Sequence, residues 1–370
     1  LLVSVQEKAK RKLSRWLLKK HWSSWDTMHS NISIFIPHIG CPNMCSFCNQ
    51  NTISGAQKAP DADEVKKICS EAYEQVKNKS DSEIAFFGGS FTAVPASYRK
   101  ELLECVQEFI GGNGFKGIRI STRPDCIDNE ILSELKKYHV TSIELGCQSM
   151  NEKVLFLNDR GHDSDAVRNA VRLIKSYGCF EIGLQMMTGL YGSSPDDDIY
   201  TANEIVKLSP DTVRIYPVVV LEGTKLAGLY KKEVYKIYEL DKMVLLCSEI
   251  MDIFSKNKIR IIKCGLHASE IVENDMVAGY YHPAFRELCE SRIFRKNLDI
   301  YFNNIKSQDL YYVAVSGKFI SKATGQKRSN INYFNAKGIN IKIISDKYLS
   351  DGEFIIYNSQ KEVVNVFKVT

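Results

Sequence analysis

Cys41, Cys45 and Cys48 stand at C-x3-C-x2-C, just after the apolar run Ile32 to Ile36. Thiolates at this spacing can hold three corners of a cuboidal iron–sulfur cluster. A fourth ligand at short range would complete an electron-transfer cluster, but the next cysteine is Cys69. Three ligands leave one iron open, and an open metal position accepts a substrate or cofactor. Two rival readings stand beside this one. A structural zinc wants four ligands and usually pairs two C-x2-C elements. Three unrelated buried cysteines fit poorly in a loop that also holds Gly40, Pro42 and Asn43.

Such a loop needs a scaffold. From residue 31 onward, short apolar runs alternate with amphipathic stretches. The pattern predicts strands at 31–36, 83–87, 117–121, 141–146, 181–186 and 212–217, and a further strand at 259–263. Helices are expected near 61–78, 95–111, 128–138, 164–177, 196–207 and 241–256. Strands separated in this way form a parallel sheet with crossover helices, here an α/β fold read as a partial (β/α)6 TIM-like barrel. Ligands bind such barrels at the carboxyl ends of the strands. There the chain carries Gly88-Gly89-Ser90, then Ser121, Arg123 and Asp125, then Gln148, Arg160 and His162, then Gln185. Glycines allow a close backbone approach, although Gly-Gly after a strand is most often a plain turn. Arg123 can grip an anionic group or pair with Asp125. His162 reads as a loop histidine or a proton-transfer group. Cys126, Cys147 and Cys264 lie just past strand ends, where a second cluster requires them to converge.

On the segment IPHIGCPNMCSFC, Ile36 to Cys48, the chain resembles the radical S-adenosylmethionine (SAM) enzymes. The resemblance extends over residues 31–265. It implies a [4Fe–4S] cluster on Cys41, Cys45 and Cys48, with SAM chelating the open iron and cleaved reductively to a 5′-deoxyadenosyl radical. It sets Phe47 beside the adenine, Gly88, Gly89 and Ser90 at the amino group, and Arg160 at the carboxylate. Gln148 and Gln185 are implied at the ribose. Ser121 stands where oxygen-independent coproporphyrinogen oxidases carry a Glu and joins the cofactor contacts. A low-potential electron donor, flavodoxin or ferredoxin, is implied as a partner. The forms GGSFT, STRPD, ELGCQS and RIYPVVVLEGT resemble one branch, the radical SAM domain of the tRNA-modifying Elongator catalytic subunit. The acetyltransferase domain of that subunit has no place in the chain as read.

The barrel pattern ends near Tyr281. A helix is expected near 283–296, strands near 298–303 and 309–316, a short helix over 317–324, a Gly325-Gln-Lys-Arg328 loop, a helix over 329–336 and a strand at 339–344. That α-β-β-α-α-β order resembles a type II KH domain, a small α/β unit over 279–370 appended to a barrel over 28–270. KH domains clamp nucleic-acid backbone with a loop between two helices. Gly325, Lys327 and Arg328 would meet phosphates there, Arg328 standing where the KH loop carries a second Gly. The rival is a cap that closes the barrel.

An apolar fraction of 44% is ordinary for a core-forming protein. No run is long enough to span a bilayer, and no secretory signal is visible. Eleven cysteines without a small-disulfide-domain pattern point to a reducing compartment, read here as the cytoplasm. The net charge of +5 divides into +5 over residues 1–30, +6 over 279–370 and −6 between. Basic ends on an acidic body suit an anionic partner such as RNA, or are simply a solvated surface. Residues 1–27, with a basic amphipathic helix from Lys8 to Lys20, read as a basic arm or a misannotated start before Met28. The expected substrate is RNA, in particular tRNA modified at a base. The alternative is a porphyrin or another small molecule, with the tail as a lid.

Overall fold

A computed structural model describes residues 30–37, 39–42, 44–49, 52–53, 58–266, 270–279, 281–303 and 309–368. The basic arm over 1–27 and its helix lie outside the described residues, as do Asn43 and His267.

The predicted alternation folds as a parallel sheet. Its strands are β1 (Ser30–Ile36), β2 (Ser82–Gly88), β3 (Gly117–Thr122), β4 (Val140–Gln148), β5 (Glu181–Thr188) and β6 (Thr212–Pro217). After the short β7 (Val219–Leu221) the sheet is extended by β8 (Arg260–Cys264), in the order β1-β2-β3-β4-β5-β6-β8. Among these seven strands, neighbours pair in parallel throughout, so their carboxyl ends share one side. The crossover helices are α1 (Ala62–Gln75), α2 (Ala96–Cys105), α3 (Asn129–Lys137), the short α4 (Glu152–Leu157), α5 (Ser164–Tyr177), α6 (Pro195–Leu208), α7 (Lys225–Lys231) and α8 (Leu240–Lys256). Local chemistry fixes their starts. Asp61 accepts the Glu64 N–H while Glu64 accepts the Asp61 N–H, a capping box that opens α1.

Period-two alternation gives the strands two different faces. Ile84, Phe86, Ile118, Ile120, Ile143, Leu145, Val213 and Ile215 are buried in the core shared with the helices. The alternate positions carry charge into the barrel. Arg119 is wholly buried and donates to Glu83 (2.7 Å), Glu144 (3.0 Å) and Glu181 (2.8 Å). Arg214 grips Glu144 through two bonds of 2.6 and 2.8 Å. Burial alone would raise the Glu144 carboxyl, but Arg214 and Arg119 overcome it and hold Glu144 below the usual carboxylate range. This network ties β2, β3, β4, β5 and β6 together inside the barrel.

Beyond β8, α9 (Glu270–Asp275) leads to β9 (Met276–Gly279), which pairs antiparallel with β7. Next comes α10 (Phe285–Phe302), an 18-residue helix that overturns the strand expected at 298–303. Asn297-Leu-Asp-Ile300 alternates like a strand, yet Phe294, Leu298 and Phe302 recur every fourth residue and are buried together. The tail continues with β10 (Leu310–Val315), α11 (Ile320–Thr324), α12 (Ser329–Ala336), β11 (Asn340–Ser345), β12 (Glu353–Tyr357) and β13 (Val363–Lys368). The last two strands were not anticipated. The sheet order is β11-β10-β12-β13, parallel between β10 and β11 and antiparallel otherwise. The element order is therefore α-β-α-α-β-β-β, not α-β-β-α-α-β, although the expected pair of helices around Gly325–Arg328 is present. Helix α10 serves both units, with Phe285, Cys289 and Ile293 in the barrel core and Phe294, Leu298 and Phe302 in the tail core.

Candidate metal and cofactor site

The cysteine loop leaves β1 at Ile36 and lies across the end of β2. Gly89 donates its N–H to Ile36 O at 2.7 Å. A Cβ on Gly89 would sit 2.0 Å from Ile39 O, and one on Gly88, whose φ is +110°, 2.7 Å from Ile36 O. These glycines thus let the loop seat on the sheet. Ser46 fastens the loop to the end of α4, with its N–H on Asn158 O (3.1 Å) and its hydroxyl on Asn158 Oδ1 (2.8 Å). Leu226 N–H at the start of α7 bonds Ser46 O at 2.7 Å. Asn49 donates to Glu222 O and Thr52 to Asp275, which tie the loop to the β7–β9 ribbon. Phe47 packs on the small core that contains Val154, Val220, Leu226 and Tyr235.

Two guanidinium groups flank the thiols. Arg160 Nη1 donates to Cys45 Sγ at 2.9 Å, while Nη2 donates to Gly146 O at 2.5 Å and meets His162 Nε2 at 3.1 Å. With Nε2 accepting, His162 carries its proton on Nδ1 and donates to Asp163 O. Burial first, then the Arg160 charge, hold His162 below its ordinary pKa. Arg123 pairs with Asp125 through Nε (2.9 Å) and Nη2 (2.7 Å), so the expected salt bridge exists, and its buried Nη1 has no partner. Burial pushes the Cys41 thiol up, and a Ser90 backbone N–H with the charges of Arg123 and Arg160 pull it back.

Gln148 ends β4 in the left-handed region at φ +64°, a strained backbone that recurs at ligand sites. A Cβ on Gly146 would lie 3.1 Å from Gln148 Nε2 and 3.3 Å from Arg160 Nη2, so the bare glycine lets both side chains converge over it. Gln148 Oε1 and Arg160 Nε are buried without partners. Buried polar atoms are normally satisfied, and orphans grouped beside the three cysteines, none of them in a disulfide, fit a polar cofactor held against a cluster. Among the described residues, no three Cys, His, Asp or Glu side chains converge on a single ion.

The remaining expected contacts have other duties as well. Ser90 is buried, accepts the Arg123 N–H at 3.2 Å and shares a hydrogen bond with Thr122. Gln185 Nε2 donates to Glu144 (2.8 Å) and Ser121 (3.3 Å), which fixes the orientation of its amide. The second-cluster reading finds no support. Cys147 is buried and bonds Ser149 O, and Cys264 packs with Cys247 and Cys289. Sequence reasoning missed Ser46, Asn158, Glu144 and Arg214. Glu144 alone left a signal, an acid inside an apolar strand that must find a buried cation.

In the tail, Lys327 and Arg328 are exposed, carry φ of 51° and 61°, and make no ion pair among the described residues. Buried Asn330 anchors this turn by donating to the carbonyls of Ser291, Lys322 and Ala323. Gln326 contacts His282 at 3.3 Å, and Gly265, just past β8, abuts Phe285. The basic turn therefore lies at the same end of the barrel as the cysteine loop. A groove of about 660 Å³ beside it is lined by Ala284, Leu288, Ile320, Ser321, Thr324 and Gln326, among others.

Comparison with known families gives the class of the chain. The Radical SAM superfamily matches residues 35–205, and the Radical_SAM C-terminal domain matches residues 210–295. The chain belongs to the radical SAM superfamily, whose enzymes use a [4Fe–4S] cluster and SAM. Its relatives include an uncharacterized protein of Methanocaldococcus jannaschii, 30% identical over 59% of this chain and 65% of that protein. A tRNA uridine(34) acetyltransferase of Dehalococcoides mccartyi is 25% identical over 59% of this chain and 55% of its own length. Human Elongator complex protein 3 is 28% identical over 62% of this chain and 44% of its own. The chain thus spans between 44% and 65% of these relatives. The archaeal Elp3 of Methanocaldococcus infernus shares the fold, with a TM-score of 0.59, 20% identity, and 91% of this chain and 76% of that one covered. No helix among the described residues is long and apolar enough to cross a membrane.

Proposed function

We propose that the chain is a radical SAM enzyme that acts on RNA, specifically on a base in tRNA, through a cluster held by Cys41, Cys45 and Cys48. The observation that carries the reading is the convergence of Arg160 on both Cys45 and Gly146, beside the orphaned Gln148 Oε1. Bound together, cluster and SAM supply a one-electron cleavage that yields methionine and a 5′-deoxyadenosyl radical. The chain's own residues do the positioning. Arg160 would hold the SAM carboxylate through its unpartnered edge. Backbone groups of Gly88, Gly89 and Ser90 would take the amino group, since the Ser90 hydroxyl is already engaged. Gln148 and Gln185 would read the ribose, with the Gln185 oxygen the end offered because Glu144 and Ser121 hold its nitrogen. Phe47 would cover the adenine. Arg123 Nη1 is assigned to an anionic group of the substrate.

Support for RNA comes from the tRNA-directed name of one relative, the +6 charge over residues 279–370, and Lys327 and Arg328 at the barrel's open end, which make no ion pair among the described residues. Gly325, Lys327 and Arg328 would grip phosphates, and a flavodoxin- or ferredoxin-type donor in the cytoplasm would supply the electron. Anaerobic reconstitution with iron, sulfide, dithionite and SAM should yield 5′-deoxyadenosine, and Cys45→Ala should abolish it. Stoichiometric zinc with no iron uptake would overturn the cluster. Nucleoside mass spectra of tRNA from cells with and without the gene should differ by one modified nucleoside. Identical spectra with no tRNA binding would instead favour a small-molecule substrate under a lid.

A further inference from the structure

Of the two most exposed large apolar side chains among the described residues, one is in the cysteine loop and the other on α4, which is bonded to it. Phe156 is 81% exposed and Met44 70%. Phe156 lies two residues before Asn158, and Met44 two before Ser46. Ser46 and Asn158 are joined by the two hydrogen bonds described above. Met44 therefore rides on the cysteine loop and Phe156 on α4, two elements locked together by these bonds. Folding does not require Phe156, because α4 is seated by its neighbours Val154 and Leu155, both buried.

We propose that Phe156, flanked by Met44, is a stacking platform that receives an unpaired RNA base at the mouth of the barrel; this inference rests on the RNA reading above. An enzyme that reacts at a base within structured RNA must bring that base out of its stack. Something planar must then replace the lost stacking, and aromatic rings do so without regard to sequence. Such a ring is solvent-exposed until RNA arrives and lies beside the reaction site, as Phe156 does. The surroundings favour RNA over a protein partner. Two apolar side chains do not make the broad apolar patch that a protein interface uses. Exposed Lys153 lies three residues before Phe156, on the same face of α4, and is placed to meet backbone phosphate. Lys225 pairs with Asp159, three residues after Phe156, at 2.6 Å.

The test uses reconstituted full-length enzyme and fluorescently labelled bulk tRNA from cells lacking the gene. Phe156→Ala should weaken tRNA binding by about tenfold or more. Phe156→Trp should keep affinity within about twofold, whereas Phe156→Leu, apolar but not planar, should behave like Ala. SAM cleavage without RNA should be the same in all three variants. Equal binding by Leu and Trp overturns stacking, and unchanged binding by Ala overturns the platform while leaving the RNA reading intact. Slower cluster reduction by a flavodoxin, with RNA binding unchanged, reassigns the surface to an electron carrier. If the wild-type enzyme binds no tRNA, the RNA reading and the platform fall together.

Discussion

At the scale of single residues, the guanidinium of Arg160 carries the most testable assignment. Arg160→Ala should weaken SAM binding by about 1.5–3 kcal/mol, the worth of a charge-assisted hydrogen bond to a buried ligand. Calorimetric titration of the reconstituted protein checks this, and unchanged affinity sinks the assignment. Arg160→Lys should rescue little, because an ammonium cannot span Cys45 and Gly146 as the planar fork does. Asp198 offers a pH signature. It is buried, accepts from Ser193 Oγ and Gly189 N, and burial pushes its carboxyl up to about 7. The folded state then binds a proton that the unfolded chain has lost above its ordinary pKa near 4. This group's contribution to stability therefore falls as pH rises from about 4 to 7. Asp198→Asn should lose less melting temperature than wild type between pH 5 and 8. Parallel profiles would refute that.

Among the elements, strands and crossover helices were largely legible in the sequence. β1 to β6 fall within a few residues of their predicted ranges because each is a short apolar run bounded by turn residues. The cysteine loop was legible for the same reason, since its ligands are close in sequence. What joins it to the rest was not. Ser46 and Asn158 are 112 positions apart, and neither residue type advertises the bond they share. The misread segment at 298–303 has a similar origin, because the partners of Leu298 and Phe302 come from strands further along the chain. Leu298→Ala should therefore cost about 2–5 kcal/mol, as for a buried leucine. A cost near zero in denaturant unfolding would contradict the buried helical placement. Within the barrel, Arg119→Met should cost about 3–5 kcal/mol, since it removes the buried cation shared by Glu83, Glu144 and Glu181.

For the molecule as a whole, the proposed RNA reading predicts a measurable role for charge. If Lys327 and Arg328 contact phosphates, replacing both with Ala should lower the slope of log affinity against log salt by roughly one to two. SAM cleavage without RNA should stay as it was. Salt-independent tRNA affinity in the wild type would remove the electrostatic grip.

The unbroken α10 has a mechanical consequence. Its first half is bolted into the barrel by Phe285, Cys289 and Ile293, and its second half into the tail by Phe294, Leu298 and Phe302. No joint separates the two, so the span from the basic turn to the cysteine loop is a fixed length. A fixed length acts as a ruler. It would select RNA by the distance between a gripped phosphate and the reacting base, whatever the sequence between them. Two glycines inserted between Ile293 and Phe294 should part the tail from the Ser291 anchor of the basic turn and leave RNA-free SAM cleavage in place, yet that cleavage should no longer yield modified RNA. Undiminished product from that variant would mean the span is not measured.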